Sequence, residues 1–149
     1  MDYKIVPMTE AHIDEAIKAE EICFSVPLTK EGFERELKNE NSHYLVAAGE
    51  KVLGYIGVHE IAGEAYIHNI AVLPEYRRAG IGRAMLESAC DGARERGCEF
   101  ITLEVRQSNA PAIALYEKCG FAKAGVRKNL YSKPAEDGVI YTKYFRGEV

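Results

Sequence analysis

Ile70-Ala71-Val72-Leu73-Pro74-Glu75-Tyr76-Arg77-Arg78-Ala79-Gly80-Ile81-Gly82-Arg83 is the stretch on which the reading of this chain turns. It starts as the end of an apolar strand, breaks at Pro74, and opens a helix through Arg77-x-x-Gly80-x-Gly82. Ile81, Met85, Ala89 and Ala93 recur every fourth residue, flanked by Leu86 and Cys90, so the helix has one apolar stripe. A helix start offers unpaired N–H groups and a partial positive charge. Glycines let that backbone approach a ligand, and arginines add forked cationic donors. The combination predicts a phosphate or pyrophosphate site. A nucleoside triphosphate loop would carry Lys-Ser/Thr where Arg83-Ala84 stand, and a dinucleotide fingerprint would carry glycine where Met85 stands. The competing reading is an ordinary strand–turn–helix with a solvated basic loop.

Outward from this stretch, the chain reads as one domain over residues 1–149, long enough for a single sizeable core. A net charge of −4 argues against nucleic-acid binding as its main task, although Arg77, Arg78 and Arg83 keep a local basic patch. No apolar run approaches membrane-spanning length and the start carries no signal-peptide pattern, so a cytoplasmic location is expected, with no membrane partner. Cys23, Cys90, Cys98 and Cys119 form no Cys-x-x-Cys pair and no His stands at metal spacing from them; reduced, buried thiols and no metal are expected.

Before the central stretch, Tyr3 to Val6 alternate as a strand would. Thr9 can cap a helix carrying Ile13, Ala16 and Ile17, and Thr29 a second one with Phe33 and Leu37 on one face. His43–Ala48 and Val52–His59 flank Gly49-Glu50-Lys51 as a hairpin, and Ala65–Val72 continues an antiparallel meander. Gly54 and Gly57 inside the second of these strands predict a bend or close backbone packing. After the central stretch, Arg96-Gly97 ends the helix and Phe100–Val105 is a strand. Ser108 or Asn109 caps a short helix with Pro111 in its first turn, ended by Gly120. Strands follow at Ala122–Tyr131 and Val139–Phe145, separated by Ser132–Gly138. The fold class is mixed α+β: a mostly antiparallel twisted sheet of about seven strands with helices on both faces. The strands at Ala65 and Phe100, joined through a helix, should lie parallel.

A second dense region is Leu103-Glu104-Val105-Arg106-Gln107-Ser108-Asn109, followed by Ala114-Leu115-Tyr116-Glu117-Lys118-Cys119-Gly120-Phe121. A carboxylate such as Glu104 near the end of a buried strand is costly unless paired or functional. Glu104 could pair with Arg106 or Arg127, Tyr116 could be a core residue with a wet hydroxyl, and Asn109 could be only an N-cap.

Together, Asn69-Ile70-Ala71-Val72, Arg77-x-x-Gly80-x-Gly82, Leu103-Glu104-Val105-Arg106, and Asn109 with Leu115-Tyr116 resemble the GNAT family of N-acetyltransferases. Within that family they look like the ribosomal-protein N-terminal alanine acetyltransferases, the RimI-like enzymes. Cys23-Phe24-Ser25-Val26-Pro27 resembles that branch's N-terminal segment. The resemblance implies the GNAT fold and acetyl-CoA as co-substrate, lying in a V-shaped opening between the strand ending at Val72 and the strand carrying Glu104. It implies backbone contacts from Ile70, Ala71 and Val72 to the pantetheine arm. It places the pyrophosphate on the loop Arg77, Arg78, Ala79, Gly80, Ile81, Gly82, Arg83, and gives Asn109 a cofactor contact. Glu104 matches the family's proton acceptor and Tyr116 its proton donor.

The chemistry suits these groups. Only a neutral amine attacks a thioester, and an α-amine with a pKa near ~7.7–8.0 asks less of a carboxylate base than a lysine near ~10.4. A phenol can protonate a leaving thiolate without bringing charge into the site. Two departures bear on the acceptor. Leu28 stands where the branch usually has Trp, and the tail reads Glu136-Asp137-Gly138-Val139-Ile140. Tyr131 and His68 are candidates for the acceptor side, each with an ordinary strand residue as the alternative. The expected partner is a protein N-terminus, a ribosomal protein among the candidates. Rival readings are acetylation of a small amine or lysine, or a non-catalytic acyl-CoA-binding sensor. Nothing in the sequence speaks to oligomeric state.

Overall fold

The computed structural model describes residues 2–24 and 27–145; Ser25 and Val26 of the N-terminal segment lie outside them. One seven-stranded sheet runs through the molecule in the order β1-β2-β3-β4-β5-β7-β6. Its strands are β1 (Lys4–Pro7), β2 (Ser42–Ala48), β3 (Val52–Ile61), β4 (Glu64–Val72), β5 (Phe100–Arg106), β6 (Ala122–Ser132) and β7 (Ala135–Tyr144). The helices are α1 (Ile13–Cys23), α2 (Lys30–Lys38), α3 (Ile81–Glu95) and α4 (Ala110–Lys118). Every strand pair is antiparallel except β4–β5. The crossover through α3 imposes that parallel pair, as the Ala65–Phe100 linkage predicts.

Helices cover both faces, which is why β3 reads as an unbroken apolar run: Val52 to Val58 are all buried. On one side the α3 stripe of Ile81, Met85, Leu86, Ala89 and Ala93 packs on Leu53, Ile56, Val58, Ile101 and Leu103. On the other, Ile13, Ala16 and Phe33 from the first two helices meet Tyr44, Val46 and Tyr55. Gly57 shows what its missing side chain permits: a Cβ there would lie 2.4 Å from the Tyr44 ring, which stacks on Tyr55.

Two local expectations are corrected. The first helix begins as a 3-10 turn over Glu10–His12, where Thr9 and His12 cap each other reciprocally, and becomes α-helical only at Ile13. The final hairpin is tighter than the polar run Ser132–Gly138 suggests, because β6 and β7 pair up to Ser132↔Ala135 and leave only Lys133-Pro134 as the turn. Polar residues are tolerated in this strand end because Glu136 and Asp137 receive hydrogen bonds, from Arg106 and Ser108 and from Asn129 respectively.

Candidate active site

The β4–β5 ladder is short. It joins Glu64–Tyr66 to Phe100–Thr102 and then stops, so Ile67–Val72 and Leu103–Arg106 diverge. The β3–β4 register slips between Gly57 and Val58, leaving His68 without a partner on β3. Such a bulge bends and twists its strand, and here it turns β4 away from β5. A cavity of about 880 Å³ opens at the divergence. Tyr66, His68 and Ile70 line it from β4, Glu104 from β5, Asn109 and Tyr116 from the α4 region, and Tyr131 from β6.

The candidate residues thus fall into two groups. Glu104, Tyr116, Asn109, Ile70, His68 and Tyr131 share the cavity. Arg77 to Arg83 form a separate loop where α3 begins. Between them runs the free edge of β4. Ala71 is turned the other way, since its carbonyl oxygen lies only 2.5 Å from where a Gly54 Cβ would be, on the β3 side. Val72 faces the open edge, and its carbonyl there accepts from Arg77 Nε at 3.0 Å. A strand residue's N–H and C=O lie on the same edge, so the Val72 amide also faces the opening.

The loop adopts the shape an anion site needs. Gly80 caps α3 in the left-handed region with φ 81°, no side chain caps the helix, and the first helical amides are left to external acceptors. The three arginines are not equivalent. Arg77 folds back on Val72 and lies 3.5 Å from Cys23 Sγ, and Arg83 pairs with Glu87 at 2.7 Å. Arg78, at φ 63°, is the arginine of this loop with no partner among the described residues. Gly82 has room for a side chain, because a Cβ would meet Leu115 only at 3.5 Å. Crowding by the protein is thus not what calls for glycine here.

Glu104 is tied at both oxygens. Tyr66 donates to Oε1 at 2.8 Å and Arg127 Nη1 to Oε2 at 2.6 Å. Of the two ion pairs open to it in the sequence, the Arg127 one forms, while Arg106 turns instead to Glu136 and to the Lys133 and Pro134 carbonyls. Tyr116 is 5 % exposed, its ring against Phe121, and burial pushes its phenol up to about 12. No group among the described residues hydrogen-bonds its hydroxyl. Asn109 is indeed the N-cap of α4, accepting from the Ala112 amide at 3.3 Å, which leaves its NH₂ free. Tyr131 lies under the Arg106 guanidinium at 4.3 Å, and burial first, then Glu104, raises its phenol. His68 stacks on His59, and burial with the neighbouring His59 lowers its pKa, favouring the neutral ring.

Two features escape sequence reading. Tyr66 reaches Glu104 only because β4 and β5 are neighbours. Glu20, on α1, is a buried carboxylate that accepts from Tyr55, from Asn69 at 2.9 Å and from the Leu28 amide at 3.0 Å. It anchors the segment after α1 against β3 and β4. Its only sequence signal is a charge on the apolar face of α1, next to Ala19.

A splayed parallel pair, a glycine-opened helix with no side-chain cap, and a carboxylate and a phenol in the gap make a cleft with an unpaired helix start beside two proton-carrying groups. The match to known proteins agrees: the acetyltransferase (GNAT) family model covers residues 10–121, and the chain belongs to that family. It is an N-acetyltransferase, and its family uses acetyl-CoA. A Bacillus subtilis relative, provisionally named a ribosomal protein bS18-alanine N-acetyltransferase, is 40% identical over 130 residues, 86% of either chain. The ribosomal protein bS18-alanine N-acetyltransferase of Escherichia coli K12 is 43% identical over 103 residues, 67% of this chain and 68% of that one. The crystal structure of the ribosomal-protein-S18-alanine N-acetyltransferase from Escherichia coli superposes with a TM-score of 0.87 at 32% identity, over 96% of this chain and 94% of that one. Among the described residues no helix is long and apolar enough to cross a membrane.

Proposed function

We propose that this chain acetylates the α-amine of an N-terminal alanine on a ribosomal protein, using Glu104 as proton acceptor and Tyr116 as proton donor. The observation that carries the reading is their presence in one cavity at the point where β4 leaves β5, beside the anion-binding loop. The substrate is the one in the relatives' names; the roles are those the family resemblance implies for these positions, and the chemistry of a carboxylate and a phenol suits them.

Acetyl-CoA supplies an activated acetyl thioester. The amides of Ile81, Gly82 and Arg83 and the Arg78 side chain hold its pyrophosphate, and the open edge at Ile70 and Val72 takes the pantetheine arm. Asn109 offers its free NH₂ to the same arm. Glu104 receives the proton of the attacking amine as the C–N bond forms. Tyr116 gives its proton to sulfur as the C–S bond breaks. Burial pushes the Tyr116 phenol up to about 12, so it holds its proton at physiological pH and is available as a donor. The Val72 amide, on the open edge of β4, is the candidate donor for negative charge on the carbonyl oxygen. His68 and Tyr131 form the acceptor side.

A thiol-release assay with acetyl-CoA tests this against peptides with a free N-terminal alanine, the same peptides with that amine blocked, free lysine and polyamines. The expected result is transfer to the free α-amine alone, with mass spectrometry locating the acetyl group. Transfer confined to lysine side chains or polyamines would overturn the substrate but not the chemistry.

A further inference from the structure

The backbone ladder that holds β4 to β5 ends at the rung Tyr66↔Thr102. Glu104 stands two residues beyond it, on the side where the strands part. On its other side β5 remains paired to β7 through Glu104↔Ile140. The carboxylate therefore sits at the rim of a gap with no main-chain bond across it. The tie that spans this gap is a side-chain one, from the Tyr66 hydroxyl to Oε1 at 2.8 Å.

The two groups holding Glu104 differ in kind. Tyr66 is half-buried, stands on the last paired rung, and has the His68 ring 6.4 Å from its own. Burial first, then the carboxylate it donates to, pushes its phenol up to about 12, so it is a donor throughout the physiological range. Arg127 reaches in from β6 with 57% of its side chain exposed. A long exposed arm confers little geometric constraint. The terminal torsion of a glutamate is soft, so the direction of its lone pairs follows from its partners. Proton transfer in turn depends on that direction.

We propose that Tyr66 is a positioning residue of the acetyl transfer: its hydroxyl fixes Oε1 of Glu104 across the opening, and so aims the remaining lone pairs at the acceptor amine. The inference rests on Glu104 being the proton acceptor. It extends that reading by making the last rung of the β4–β5 ladder part of the machinery, through a residue outside every motif of the sequence.

The test compares Tyr66→Phe, Glu104→Gln, the double variant and Tyr116→Phe, each assayed with acetyl-CoA and an alanine-initiated peptide. Tyr66→Phe keeps the ring and should lower kcat by about ten- to a hundredfold, with the KM for acetyl-CoA unchanged. The double variant should be no slower than Glu104→Gln alone, because Tyr66 acts through that carboxylate. Alkaline buffer, which supplies neutral amine directly, should partly restore Tyr66→Phe and Glu104→Gln but not Tyr116→Phe. A residue that mattered only for folding would give multiplying losses and no alkaline rescue. If Glu104→Gln is impaired while Tyr66→Phe is as fast as the parent, or if the two losses multiply, the positioning role is overturned and Glu104 keeps its own. If Glu104→Gln is fully active, both assignments fall together.

Discussion

Tyr116→Phe separates catalysis from packing more cleanly than any other change in the cavity. The hydroxyl meets no hydrogen-bonding group among the described residues, so deleting it breaks no internal bond. The ring keeps its contact with Phe121, 6.0 Å between centroids, and its place in the α3-side core. Stability should therefore change by less than about 0.5 kcal/mol, the range of substitutions that create neither cavity nor orphaned group. Loss of a general acid costs about 10²–10⁴-fold in rate, or roughly 2.7–5.5 kcal/mol of transition-state stabilisation. The expected result is a kcat lowered by that factor, an unchanged KM for acetyl-CoA and an unchanged urea midpoint. Steady-state kinetics and equilibrium unfolding on one preparation measure both. A kcat within a few-fold of the parent would refute the proton-donor role, leaving positioning of the amine to carry the reaction. A midpoint falling together with kcat would show the hydroxyl to be structural.

Gly82→Asp should leave the fold intact, since a Cβ there meets nothing closer than 3.5 Å and a carboxylate in the first turn of α3 complements its dipole. The same carboxylate repels phosphate, so calorimetry should show acetyl-CoA affinity falling more than about tenfold; unchanged affinity would mean that the pyrophosphate binds elsewhere. Glu20 gives a pH signature. Burial raises its pKa from 4.5, partly offset by the Leu28 amide and Asn69. The folded chain thus holds a proton that the unfolded chain has lost, and the stability this gives is complete below 4.5 and declines as pH rises through the raised value. Because the lowered carboxyls Glu36, Glu60 and Glu136 work in the opposite sense, the signature is the difference: the urea midpoint of the parent should fall relative to that of Glu20→Gln as pH rises above 4.5; parallel curves would refute it.

What the sequence by itself determined is what repeats locally. The α3 stripe, Thr29 and Asn109 as caps, and the glycine-opened start of α3 depend on residues within a few positions of one another, where spacing and propensity decide. The order of strands through the β4–β5 parallel pair was legible for a related reason, since a helical crossover leaves few topologies. The end of the last hairpin is hidden in the sequence because polarity in Ser132–Gly138 imitates a loop, whereas Arg106, Ser108 and Asn129 satisfy its acidic side chains in the folded sheet. Which side chains commit to one another across the fold could not be decided from the sequence. The chain shows three arginines beside one glycine loop; only the folded molecule decides that Arg77 serves Val72, that Arg83 serves Glu87 and that Arg78 has no partner among the described residues. Glu104 had Arg106 and Arg127 as equal suitors, and Tyr66 as none. The pairing went to Arg127 and Tyr66 because strand order sets β6 within reach across β7 and sets Tyr66 on the last rung of a ladder that stops there. Hydrogen bonds across 23 to 38 residues of chain depend on where strands meet, and that is a property of the assembled sheet rather than of any segment within it.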